Sequence, residues 1–183
     1  MSKRPSNEHP IQGYFAKAIH DSLTDQLGLE PDDHVEAYLT EMLVNFLHGD
    51  RIYAIRDAEG RRVETVAEML LEGDIRLNAD SFEREREVHR HIGDFLLFWS
   101  GLFPEQLRQL RFRDFKDAFV DPTAQGQESY HVVSTFDYVP HDQEAPTFRK
   151  LSRNFETYQL GLRMMRASFE GFALQGWEDG FSA

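Results

Sequence analysis

The residues in this sequence best placed to do chemistry are His91 and Asp94, with Tyr130 and Tyr138 further along the chain. An imidazole and a carboxylate one helical turn apart could share proton transfer, and two phenols could orient a ligand between helices. Asp94 also stands one turn before Leu97 and Phe98, which predicts a buried carboxylate. An unpaired buried charge costs several kcal/mol or forces the group to protonate. Arg90, one turn earlier, and the hydroxyls of Tyr130 and Tyr138 are the candidate partners. A structural role for Asp94 outweighs a catalytic or ligand-binding one on this reading.

Metal chemistry has weaker material. Glu85 with His89 and Glu87 with His91 are spaced i,i+4, and His91 with Asp94 is spaced i,i+3. Dinuclear carboxylate centres in helical bundles use Glu-x-x-His pairs on two helices, and that spacing is missing here. His34, Glu41 and His48 share a heptad stripe that skirts the apolar face of its helix. No metal site and no cofactor are therefore expected. Cysteine is absent, which excludes disulfides, thiolate ligands and thiol nucleophiles. The Gly-x-Ser-x-Gly elbow, the phosphate loop and the dinucleotide-binding glycine turn are also absent, and the expectation is a protein that is not an enzyme.

Charge narrows the partners. Against 20 Lys and Arg stand 32 Asp and Glu, a formal net charge of −12 among 183 residues. Such a surface repels phosphate backbones and anionic headgroups, so neither nucleic acid nor membrane is expected. The alternation Glu83-Arg84-Glu85-Arg86-Glu87 reads as a solvated helix face laced with ion pairs. Leu110-Arg111-Phe112-Arg113-Asp114-Phe115-Lys116 interleaves basic and aromatic residues and reads as a connector with its apolar residues turned inward. Met1 to Pro10 has no apolar core of a signal peptide, and no apolar stretch reaches membrane-spanning length, so the cytoplasm is the expected compartment.

The elements that must position these residues read as helices. Pro10 opens a helix to about Leu27, with Ile11, Phe15, Ile19 and Leu23 at every fourth position and Gly28 as its stop. Val35, Tyr38, Leu39, Met42, Leu43, Phe46 and Leu47 mark one wide face of a second helix, which Gly49 ends. Ile52 to Arg62 suits a short extended hairpin around Asp57-Ala58-Glu59-Gly60. Thr65 and Glu68 have capping-box spacing for a short helix that Gly73 closes. A helix capped by Asp80 or Ser81 runs to about Phe103, its second half so apolar that protein must surround it, and Pro104 begins another. Gly93 and Gly101, eight residues apart on one face, predict close helix packing. Asp121 to Gly126 reads as a loop, and 128–139 suits helix or strand, with helix favoured because Tyr130, Ser134 and Tyr138 then stack on one face. Phe148, Leu151, Phe155, Tyr158, Leu162, Met165, Phe169 and Phe172 alternate in steps of three and four, which predicts one long final helix. The expected fold is all-α, a compact bundle of about five to seven helices in a single domain over 1–183, with flexible tails at about 1–9 and 176–183. Trp177 and Phe181 in the second tail could fold back onto the bundle.

The run Gly93-Asp94-Phe95-Leu96-Leu97-Phe98-Trp99-Ser100-Gly101-Leu102-Phe103-Pro104-Glu105 resembles a segment of an uncharacterised family of bacterial all-helical proteins, in which a Gly-Asp pair precedes an apolar run ending in Ser-Gly-x-Phe-Pro-Glu. A later segment of that family has two tyrosines eight positions apart, matched here by Tyr130 and Tyr138. The resemblance implies an all-helical fold and supplies no chemistry.

Two readings of function follow. The first is a non-enzymatic helical interaction module that binds a protein partner or a second copy of itself. The second is a helical-bundle enzyme, or a protein binding a small ligand or metal, using a polar pocket around His91, Asp94, Tyr130 and Tyr138.

Overall fold

Why the central helix forms where it does is local: Ser81 adopts an extended conformation and its hydroxyl accepts the amide of Arg84, and twenty-one residues of helix follow, Phe82–Leu102. The computed structural model describes residues 10–113 and 115–169, without the side chains of 10, 111–113 and 115. The tails expected at 1–9 and 176–183, with Trp177 and Phe181, lie outside the described residues, as do the end of the aromatic stripe at Phe172 and the side chains at 111–115 of the connector expected to turn its apolar residues inward.

Nine α-helical segments occur among the described residues, more than the five to seven expected: α1 (Pro10–His20), α2 (Asp33–Phe46), α3 (Gly49–Ile52), α4 (Val66–Gly73), α5 (Phe82–Leu102), α6 (Pro104–Arg113), α7 (Pro122–Ser134), α8 (Ala145–Arg153) and α9 (Phe155–Ser168). The excess has identifiable causes. Gly49 opens α3 instead of merely ending α2. The final stripe is divided at Asn154, whose side-chain amide and backbone amide both donate to the Lys150 carbonyl at 3.2 and 3.0 Å. The backbone of Asn154, at φ −114° and ψ 26°, leaves the helical region and turns the chain without displacing the stripe, and Phe148, Leu151, Phe155, Tyr158, Leu162 and Met165 all remain buried.

Residues 122–126, expected within a loop, are the first turns of α7. Asp121 accepts the Ala124 amide at 2.8 Å, Pro122 supplies a preset helical φ, and Gly126 is required by packing, because a Cβ there would lie 2.2 Å from the Phe155 ring. The same helix stops earlier than expected. The hydroxyls of Ser134 and Thr135 donate back to the carbonyls of His131 and Val132 at 2.7 and 2.6 Å, and Tyr138 lies beyond the end in an exposed turn.

The suggested hairpin near 52–62 reduces to a single antiparallel bridge between Arg56 and Arg62, with no strand among the described residues. Asp57 closes its turn by accepting the amides of Glu59 and Arg61, and Gly60 supplies a φ of +78°. Elsewhere the expected caps form. Thr65 accepts the Glu68 amide and donates to its carboxylate, starting α4, and α1 continues through a wider π turn at Asp21–Gln26 to Gly28 at φ +69°.

α5 is the axis, packing against α4, α6, α7 and α9. One contiguous core runs from Phe15 on α1 to Met165 on α9. Its centre is aromatic: Phe98 meets Phe46, Trp99 and Phe103 with centroids 5.2 to 5.6 Å apart, at tilted or edge-on angles that suit the ring quadrupoles. Gly93 and Gly101 do what their spacing predicts. A Cβ at 93 would stand 2.6 Å from the Tyr130 ring of α7, and one at 101 would stand 2.8 Å from Leu162 of α9.

Candidate functional site

The polar cluster forms where α2, α5 and α7 meet. Because Gly93 has no side chain, the Tyr130 ring lies flush against α5, fully buried, and its hydroxyl reaches Asp94 on the next residue. Tyr130 Oη donates to Asp94 Oδ1 at 2.8 Å, and Tyr38 Oη of α2 donates to the same oxygen at 2.5 Å. Arg90, one turn before Asp94, donates from Nε to Tyr38 Oη at 3.2 Å, and its guanidinium lies over the Tyr38 ring at 5.2 Å. Phe148 of α8 closes the group, edge-on to Tyr38 at 5.0 Å and tilted against Tyr130 at 5.8 Å.

Removal from water dominates the electrostatics. It pushes the Asp94 carboxyl up from its usual range to about 6, against the opposing pull of Arg90 and the two hydroxyls. Burial, and then the nearby carboxylate, raises both tyrosines well above their ordinary value, so they remain proton donors. Arg90 is held more firmly charged by Tyr38 and Asp94, although its burial opposes this.

Of the residues proposed from sequence, Asp94 and Tyr130 are brought together, and Arg90 joins them through Tyr38. His91 is not part of the cluster: its Nε2 donates to the Ile52 carbonyl at 2.9 Å, and burial lowers its pKa to about 4, so it is a neutral tie between α5 and α3. Tyr138 is 54% exposed and leans on Phe136 and His141. The missing second phenol is Tyr38, which the apolar stripe of α2 packs, partly buried, against the core; its signal is a hydroxyl on the apolar face, a group that must find a partner.

Among the described residues no group of three or more His, Asp or Glu side chains could hold a metal ion. The i,i+4 pairs of α5 diverge, His89 turning to Ser129 Oγ at 3.4 Å while Glu87 is exposed. Nor do the clefts described on the surface reach Asp94: they are lined by residues 57–78 on one side and by parts of α5, α6, α7 and α9 on another. Two donors on one carboxylate oxygen tie α2 and α7 to α5, while Asp94 itself is only partly buried.

No protein-family model matches the chain, and no curated protein or solved structure is significantly similar to it.

Proposed function

We propose that the protein is a non-enzymatic helical interaction module, and that the end of the molecule at the start of α5 is its binding surface. The observation that carries this reading is a concentration of large apolar side chains left in water at that end. Phe82, in the first turn of α5, is 63% exposed, and the 135–144 loop presents Tyr138 and Val139, the latter 80% exposed. This loop is fixed in place. His141 meets Glu83 at 2.8 Å, and the buried Arg86 donates to Glu144 at 2.5 Å, so the exposed residues are held against α5. Isolated apolar side chains at a surface are ordinary, and what sets this end apart is that Phe82 on α5 and Tyr138 and Val139 on the loop are joined through the Glu83–His141 and Arg86–Glu144 contacts. The Asp94 cluster supports the same reading from the other side, since both tyrosine hydroxyls are spent on Asp94 Oδ1 within the fold.

Charge favours a different protein as the occupant, one with a basic rim around an apolar spot. Two copies of this chain would each bring a formal net charge of −12 to the contact. The test is capture of a partner from host lysate by the full chain and by the Phe82→Ser/Val139→Ser variant, with sedimentation velocity on both. Capture by the native chain is expected, weakened by added salt, with its loss in the variant at unchanged thermal stability. A chain that stays monomeric and captures nothing, or a variant that captures as well as the native protein, contradicts the proposal.

A further inference from the structure

At the opposite end of α5 from Phe82, a cleft of about 530 Å³ opens between α5, α6, α7 and α9. Its floor is polar and buried. Gln159 Nε2 donates to Ser100 Oγ at 2.6 Å and to Thr123 Oγ1 at 3.2 Å, and both Ser100 and Gln159 are only 5% exposed. Its walls carry Arg108 and Arg163. Arg163 donates from Nε to the Ser100 carbonyl at 3.2 Å, which fixes the stem and leaves the rest of the fork without a carboxylate partner among the described residues. Arg108 has no ion-pair partner there within salt-bridge distance, although its field reaches Glu105. Glu105 is the acidic residue of the wall, and it is engaged by its own backbone amide and by Arg166 at 3.2 Å. The depression continues over Thr123 and Arg163 to an acidic lip at Glu156. α6 and α7 both begin in this wall, at Pro104 and Pro122, but their N-termini are already answered by Glu105 and by the Asp121 cap, so the positive charge of the cleft rests on the two guanidinium groups.

The floor's own hydrogens are spent within the fold, Ser100 Oγ donating to the Leu96 carbonyl and Thr123 Oγ1 to Gln159 Oε1, so the two guanidinium groups are what an anion would meet, and on a chain of net charge −12 an anion repelled elsewhere is attracted here. Guanidinium forks match the planar geometry of carboxylates and phosphates, and the volume suits a small molecule. We propose that this cleft binds a small oxyanion, a phosphate or carboxylate group carried on a metabolite-sized molecule. The site is independent of the apolar end assigned above to a protein partner.

The experiment is a nitrogen-edited NMR titration of the full chain with inorganic phosphate and, separately, with acetate at constant ionic strength. Saturable displacement of the Thr123, Gln159 and Arg163 signals by either anion, in the millimolar range or tighter, supports the site, and the anion that acts names the group recognised. Arg108→Gln, at an exposed position, should keep the native melting temperature and weaken binding by about tenfold or more. Arg163→Gln is the second variant and should weaken it similarly. Overturning results are a failure of both anions to saturate, or affinities unchanged in both variants.

Discussion

Asp94 decides how the polar cluster should behave, because its folded-state pKa is raised, to about 6, by burial. An acid raised on folding binds more protons in the native state than in the unfolded one between its ordinary value and the raised one, so its contribution to stability falls as pH rises through that window. Other carboxylates titrate in the same range, and Asp94→Asn isolates the effect. The native chain should gain stability relative to Asp94→Asn as pH is lowered from about 6 to about 4, and chemical denaturation at several pH values measures it. A constant difference would place Asp94 in water. Asp94→Ala removes the acceptor shared by Tyr38 and Tyr130 and should cost about 1–3 kcal/mol. The sequence discloses a carboxylate drawn partly out of water and one of its tyrosines, because the neighbours of Asp94 on its own helix are apolar. It conceals Tyr38, since a tyrosine within an apolar stripe looks like core until its hydroxyl is traced across to another helix. Tyr138 misleads for the converse reason: its i+8 spacing from Tyr130 matters only if the helix persists, and Ser134 and Thr135 end it.

Among the elements, caps and glycines carry most of the specification. Asp121→Ala removes the acceptor for the Ala124 amide and should lower stability by about 1 kcal/mol, read as a shift in the denaturation midpoint with unchanged slope. Gly93→Ala would drive a methyl group into the Tyr130 ring and should cost about 1–3 kcal/mol by overpacking. Gly13, where a Cβ would meet nothing within 4 Å, is the control: Gly13→Ala on the helical surface should be neutral or stabilising. The caps at Ser81 and Thr65 and the stop at Gly28 are legible because each is a local signal of a few residues. Asn154 is not, because the apolar period passes through it unbroken and only its non-helical backbone, at φ −114° and ψ 26°, shows the turn. Gly126 is obscure for a related reason. A glycine after Pro122 and Thr123 has the composition of a loop, while its purpose is the contact with Phe155 on a helix distant in the chain, which no local pattern reveals.

For the whole molecule, α5 separates two surfaces of opposite character: apolar side chains at its start and a cationic cleft at its end, about 30 Å apart along a helix of twenty-one residues. The polar cluster lies between them and joins α2 and α7 to this axis. That all-helical plan is legible from periodicity alone; the surfaces are not, since exposure depends on which loops fold over which helix ends. In the proposed division of labour the Asp94 cluster holds the fold and the apolar end binds the partner. Partner capture measured side by side on Asp94→Asn and Phe82→Ser/Val139→Ser, both checked for native helical content, separates the two roles. Asp94→Asn should capture as the native chain does, and the double variant should not. Loss of capture in a folded Asp94→Asn chain, with capture retained by the double variant, would contradict it.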